Sequence, residues 1–258
     1  MNGRKAMKRK EIYAGGLKSA RESRLGKLAA AMAVFSLLLG GCGGQGDQAK
    51  GGSDIQEVDL AEYMSDASKW EDDGGDYTLT GDKLTFNNAY YGDFCAVRLN
   101  EEFQDVTVKF TLQLTAIAAD VSEEDGTWWD TEFLCLVRSN FAGSAYVEGE
   151  EGQAGYCITS WGDMNQFALG RSGYDDVFGI YDWPLGDGKP HQIQFTVDNN
   201  EDNTVITLKV VVDGQEIAVA EDDGSQVKKD RISFFPEAGG ITLRCKYLGA
   251  EITGAESN

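Results

Sequence analysis

Aromatic, carboxylate and guanidinium side chains gather in the middle of this sequence: Trp128, Asp130, Glu132, Arg138, Trp161, Arg171, Tyr181 and Trp183, with Trp129 and Tyr174 between them. Indole and phenol rings present flat apolar faces on which the C–H faces of a sugar ring can stack. Carboxylates and guanidinium groups bind hydroxyls by charge-assisted hydrogen bonds. Spacing sorts these residues by face. In a strand beginning at Trp128, alternate positions place Trp128, Asp130, Glu132 and Arg138 on one side, and Phe133, Cys135 and Val137 on the other, which reads as core. Trp161 ends a neighbouring strand, and Arg171, Tyr181 and Trp183 lie on or just after the next. Together they read as the lining of a carbohydrate cleft. The competing reading makes the tryptophans ordinary core, since Trp is commonly well buried, and the charges a solvated face.

Asp130 and Glu132 are also the best catalytic pair. Residues i and i+2 on one strand stand roughly 6–7 Å apart, which suits the acid and the nucleophile of a retaining glycosidase. His191 is the only histidine, so any Ser-His-Asp or Cys-His mechanism would have to use it. It stands at the start of a strand beside a turn, a structural setting. Of five cysteines, Cys95, Cys135, Cys157 and Cys245 fall inside the folded part. They allow two disulfides in three pairings. The absence of any C-x-x-C spacing argues against zinc. Cys135 and Cys245 share strand faces with Phe133 and Leu243 and read as core-facing.

The elements that would carry these residues are strands. Ile193, Phe195 and Val197 alternate with polar residues, as do Ile206, Leu208, Val210 and Val212, with polar turn formers between them at 198–203. This predicts a long antiparallel hairpin. Asp213-Gly214 predicts a second tight turn into a returning strand over 215–220. Val106, Val108, Phe110, Leu112 and Leu114 form the cleanest half-buried strand. Further strands are expected over 77–80 and 83–86 around Gly81-Asp82, and over 94–99, 131–138, 155–161 and 166–171. One closing strand is expected over 241–252, with Ile241, Leu243, Cys245 and Tyr247 on one face. The 59–64 stretch reads as a short helix or strand, the 71–76 acidic cluster as a turn, and 116–126 as an acidic loop. A dozen short strands in a chain with 32 glycines and only 3 prolines predict an all-β protein of two packed antiparallel sheets.

The N-terminal part differs in kind. Residues 1–41 carry nine basic and two acidic residues, a net of +7, which leaves −27 on the remainder of a chain whose total is −20. Basic residues lead into an apolar run over 28–39, the length of a signal-peptide core and short for a membrane span. It ends Leu39-Gly40-Gly41-Cys42, which resembles a bacterial lipobox. That resemblance implies a lipoprotein signal peptide over 1–41, a diacylated Cys42 and a Gly-rich tether over 42–54, with one folded domain over 55–258. The protein is thus expected to be exported and held by lipid on the outer face of the bacterial cytoplasmic membrane or the cell envelope. A domain this acidic repels phosphate and is a poor partner for nucleic acid. The acid reads as a solubilising surface, or as one or more Ca²⁺ sites at Asp-rich turns (Asp72, Asp73, Asp76; Glu123, Glu124, Asp125; Asp198, Glu201, Asp202; Glu221, Asp222, Asp223). None of these turns has calcium-loop spacing, though in a sandwich fold ligands can converge from distant loops.

The order of the pieces carries a further resemblance. Trp70 in an acidic opening, the hairpin turning at Gly81-Asp82, the run 133–138, Gly155-Tyr156, the His191 hairpin with Val212-Asp213-Gly214, and the closing Gly240-Ile241-Thr242-Leu243 follow one another. Together they resemble the concanavalin A-like lectin and glucanase superfamily, including laminin-G-like modules and the domain family named for 3-keto-disaccharide hydrolases. Such domains often have Trp-His before the hairpin strand, and this chain has Pro190-His191. The resemblance implies a jelly-roll sandwich and binding of oligosaccharide or polysaccharide on a concave sheet or its rim, often with structural Ca²⁺. Family 16 glycoside hydrolases of that superfamily place Glu-x-Asp-x-(x)-Glu on one strand. Here Trp128 stands at the leading position, so the catalytic set is incomplete. Three functions follow: a surface lipoprotein that binds glycan, a glycoside hydrolase using Asp130 and Glu132, or an envelope protein-interaction module.

Overall fold

Period-two alternation builds almost all of the described part of this molecule. The computed structural model describes residues 55–72, 75–88, 95–117, 131–140, 155–172, 176–200, 204–225 and 237–255. Cys42 with the expected signal peptide and tether, Trp128, Trp129, Asp130, Tyr174 and most of the acidic loop lie outside them. The strands are β1 (Gln56–Asp59), β2 (Trp70–Asp72), β3 (Tyr77–Thr80), β4 (Lys83–Asn88), β5 (Cys95–Phe103), β6 (Val106–Ile117), β7 (Glu132–Ser139), β8 (Gly155–Trp161), β9 (Gln166–Ser172), β10 (Asp176–Asp182), β11 (His191–Asn199), β12 (Ile206–Val212), β13 (Gln215–Asp222), β14 (Gly239–Lys246) and β15 (Leu248–Thr253). A single helical turn, α1 (Ala61–Met64), follows β1.

These strands form two sheets. One runs β13-β12-β11-β6-β15-β4-β3, with β1 added in parallel along the start of β6; the other runs β10-β9-β8-β7-β14-β5-β2. Every other pairing is antiparallel, and the two sheets pack face to face as a jelly-roll sandwich. Phe110, Leu112, Phe195, Val197 and Leu208 from the eight-stranded sheet meet Phe133, Val137, Ile158, Phe167 and Leu243 from the seven-stranded one, all fully buried. Each such side chain contributes about 1.5–3 kcal/mol when withdrawn from water.

The predicted hairpin is present, with Ile193 opposite Val212 and Asn199 opposite Ile206. Asp213 and Gly214 turn it into β13 with φ of 51° and 76°, the left-handed pair that a two-residue hairpin requires. Three expectations change. Glu71 and Asp72 belong to strand β2, opposite Arg98 and Val97, rather than to a turn. The 59–64 stretch is both strand end and helix, with Asp59 Oδ1 accepting from the Ala61 N–H at 3.0 Å. The expected single closing strand over 241–252 is two strands in different sheets. Tyr247, at φ 55°, turns the chain from β14 into β15. Core positions switch accordingly, from Ile241, Leu243 and Cys245 to Leu248, Ala250 and Ile252.

His191 is structural. Its Nδ1 lies 2.7 Å from Asp213 Oδ2 and its Nε2 lies 3.0 Å from Asp187 Oδ1. It ties the β12–β13 turn to the 3-10 turn Leu185–Asp187. Burial opposes the charged ring, but the two carboxylates outweigh it and raise the pKa above the ordinary 6.5. The folded state therefore holds this proton more tightly than the unfolded chain. The contribution is complete below the unfolded value and is lost as pH rises through the raised one. Denaturant unfolding between about pH 6 and 9 should show stability falling with pH. The fall should be shallower in His191→Gln; equal slopes would refute the linkage.

Candidate ligand-binding face

The core of the seven-stranded sheet uses Phe133, Cys135 and Val137 of β7, so its even positions face outward. Register extends that face across the sheet. Trp161 of β8, Glu132 of β7 and Lys246 of β14 stand side by side. The next row is Thr159, Leu134, Arg244 and Ala96, and the next is Cys157, Leu136, Thr242 and Arg98. Arg244 Nε donates to Glu132 Oε1 at 2.6 Å, holding the carboxylate in one orientation beside the half-buried Trp161. At the β9–β10 side, Gln166 Nε2 donates to Asp182 Oδ1 at 2.8 Å, and both residues are exposed. The result is a half-buried indole next to a guanidinium-oriented carboxylate, with a lysine one strand further on. Such a group can take the apolar face of a sugar on the ring and its hydroxyls on the charges. Deeper along the strands the face becomes apolar, with Leu134, Leu136 and Cys157 forming a small buried cluster.

Glu132 and Trp161 are thus brought together as cross-strand partners. Four other expected site residues do not join them. Arg138 is fully buried: φ 56° turns it off the outward face, and its guanidinium bonds the Gln104 carbonyl at 2.5 Å, Asn199 Oδ1 at 3.1 Å and Asp105 Oδ1 at 3.1 Å. Arg171 follows Phe167 and Leu169 on the core face of β9 and pairs with Asp222 at 3.3 Å. Tyr181 also points inward, stacked on Phe167 at 5.5 Å, with its hydroxyl donating to the Val219 carbonyl at 3.1 Å. Trp183 is core, packed against Phe167 and Phe133. Trp128 and Asp130 lie outside the described residues, so of the expected catalytic pair only Glu132 is described. Arg244, Lys246, Gln166 and Asp182 were missed. The signal for the first two was present, since Thr242, Arg244 and Lys246 alternate with Ile241, Leu243 and Cys245.

The two arginines belong to a polar layer at the opposite end of the sandwich. The Tyr156 hydroxyl, fully buried, donates to Asp222 Oδ2 at 3.0 Å. The Arg138 guanidinium lies 5.8 Å from the Tyr156 ring centre. Burial, and then the Asp222 carboxylate, push the phenol pKa far up, so Tyr156 stays a neutral donor. Asp222 thus serves Arg171 and Tyr156, and the Asp223 carboxylate accepts from the Ser225 N–H at 2.8 Å. Among the described residues no group of three or more His, Cys, Asp or Glu is placed to hold a metal ion.

No protein-family model and no curated protein sequence matches this chain. Among solved structures, it is similar to the carbohydrate-binding module CBM66 from Bacillus subtilis, with 13% identity, 72% of this chain and 92% of that chain covered, and a TM-score of 0.48. It is also similar to the Crh5 transglycosylase in complex with NAG, with 14% identity, 74% of this chain and 66% of that one covered, and a TM-score of 0.46. The winged bean acidic lectin complexed with methyl-alpha-D-galactose gives 10% identity, 74% and 92% coverage, and a TM-score of 0.46. At these identities no site residue is transferred from them to this chain.

Proposed function

We propose that this protein binds oligosaccharide or polysaccharide on the outward face of its seven-stranded sheet. A lipid on Cys42 would hold it, by way of the Gly-rich tether, on the outer face of the bacterial cytoplasmic membrane or the cell envelope. The observation that carries the binding reading is the row Trp161–Glu132–Lys246, with Arg244 holding the carboxylate. A half-buried ring beside an oriented charge suits a ligand with alternating apolar faces and hydroxyls, and suits nucleic acid poorly on a chain of net charge −20.

A glycan-array screen of the purified protein, with and without EDTA, tests this reading. Binding without cleavage is expected. New reducing ends, absent in Glu132→Gln, would move the protein to the hydrolases. Failure to bind any glycan would overturn the carbohydrate reading and leave a protein-interaction module. Binding that is lost in EDTA would place Ca²⁺ in the site. Growth in labelled palmitate tests the anchor: label on the wild type and none on Cys42→Ala is expected, and an unlabelled wild type would remove the lipid.

A further inference from the structure

Four cysteines lie within the two sheets, and strand register separates them. Cys95 of β5 stands directly opposite Cys245 of β14, and both are fully buried on the core face. Directly opposed residues on antiparallel strands have Cα atoms about 4.5–5.5 Å apart, inside the range of about 4.4–6.8 Å that a disulfide spans. The other combinations fail. Cys135 lies opposite Ile158 while Cys157 lies opposite Leu136, so the two point to opposite faces of the sheet. Cys135 is opposite Leu243, two residues from Cys245, a diagonal of about 7–8 Å. Cys95 and Cys135 are separated by the whole of β14, roughly 10 Å.

We propose that Cys95 and Cys245 form a cross-strand disulfide, and that Cys135 and Cys157 remain thiols. The oxidant is a small-molecule or protein disulfide acting by thiol–disulfide exchange. One cysteine thiolate attacks it, forming a mixed disulfide and releasing a first thiol. The second cysteine thiolate then displaces the other sulfur. The Sγ–Sγ bond forms, the two S–H protons pass through solvent to the two thiolates released from the oxidant, and two electrons leave with the two thiols so produced. Exchange precedes closure of the sandwich, because burial in the folded state pushes the Cys245 thiol well above its usual pKa and suppresses its thiolate. Gly75 lies close against Cys95. It holds φ of 110°, and a Cβ on it would come within 2.6 Å of Cys95 Cβ.

The bond joins β14 to β5 and closes a loop of about 150 residues, so it restricts most of the unfolded domain. The test uses the full chain, refolded from denaturant in a glutathione redox buffer, denatured without reductant, alkylated and mapped by mass spectrometry. A Cys95 peptide joined to a Cys245 peptide, two hydrogens lighter than the paired thiols, is expected, with Cys135 and Cys157 alkylated. Reductant should lower the melting temperature by on the order of 10 °C. The double variant Cys135→Ala, Cys157→Ala should keep that drop. Alkylation of all four residues, or any linkage other than Cys95–Cys245, would overturn the proposal.

Discussion

Replacing Asp222 with alanine is expected to lower the unfolding free energy by about 3–5 kcal/mol, because it leaves a buried guanidinium without its carboxylate. Asp222 ends β13 in the eight-stranded sheet and is 1% exposed. Its partners, Arg171 at 3.3 Å and the Tyr156 hydroxyl at 3.0 Å, project from the seven-stranded sheet. The carboxylate thus connects the two layers at the end of the sandwich away from the candidate face. Replacing both members of a buried pair by apolar groups costs much less than removing one. Arg171→Met combined with Asp222→Ala should therefore recover much of the loss. Urea unfolding measures both, with the midpoint moving and the slope unchanged if only stability has changed. A loss below about 1 kcal/mol for Asp222→Ala would show that water reaches the pair.

The second large effect is on binding. Trp161→Ala should weaken the affinity for a glycan found on the array by about 30-fold or more, the scale of a tryptophan hot spot near 2 kcal/mol. Trp161 stands on the outward face opposite Glu132 and does not belong to the core cluster, so its removal should leave the melting temperature close to that of the wild type. Trp161→Phe keeps an aromatic face and should retain most of the affinity. Titration calorimetry of the three proteins decides the matter. Unchanged affinity in Trp161→Ala would move the ligand off this face.

Much of the architecture was legible because alternation is a local property. Val106 to Leu114 and Ile193 to Val197 fall where expected, and Asp213-Gly214 makes the turn its residue types demand. The switch of sheets at Tyr247 was also written in the chain, as a change from odd apolar positions before it to even ones after it. Strand β10 was harder to read, since Gly179 and a register shift between Val177 and Gly179 break its alternation.

The candidate face was legible only in part. Parity correctly set Glu132 against Phe133, but it assumed an even side that was polar throughout. Leu134 and Leu136 show otherwise, because both faces of β7 are covered along that stretch. Arg138 continues the same parity, yet a positive φ turns it into the sandwich, where Asp105 and Asn199 receive it.

By itself, then, the sequence determined most of the strands, the tight turns such as Asp213-Gly214 and the two-sheet class, because these depend on side-chain periodicity and on which residues tolerate left-handed backbone. Tertiary structure alone decided that Trp161 meets Glu132, that Arg244 orients that carboxylate, that Arg171 lies under Asp222, and that Cys95 faces Cys245. Those pairings join residues far apart in the chain. They are set by strand register and sheet packing, which no local spacing encodes.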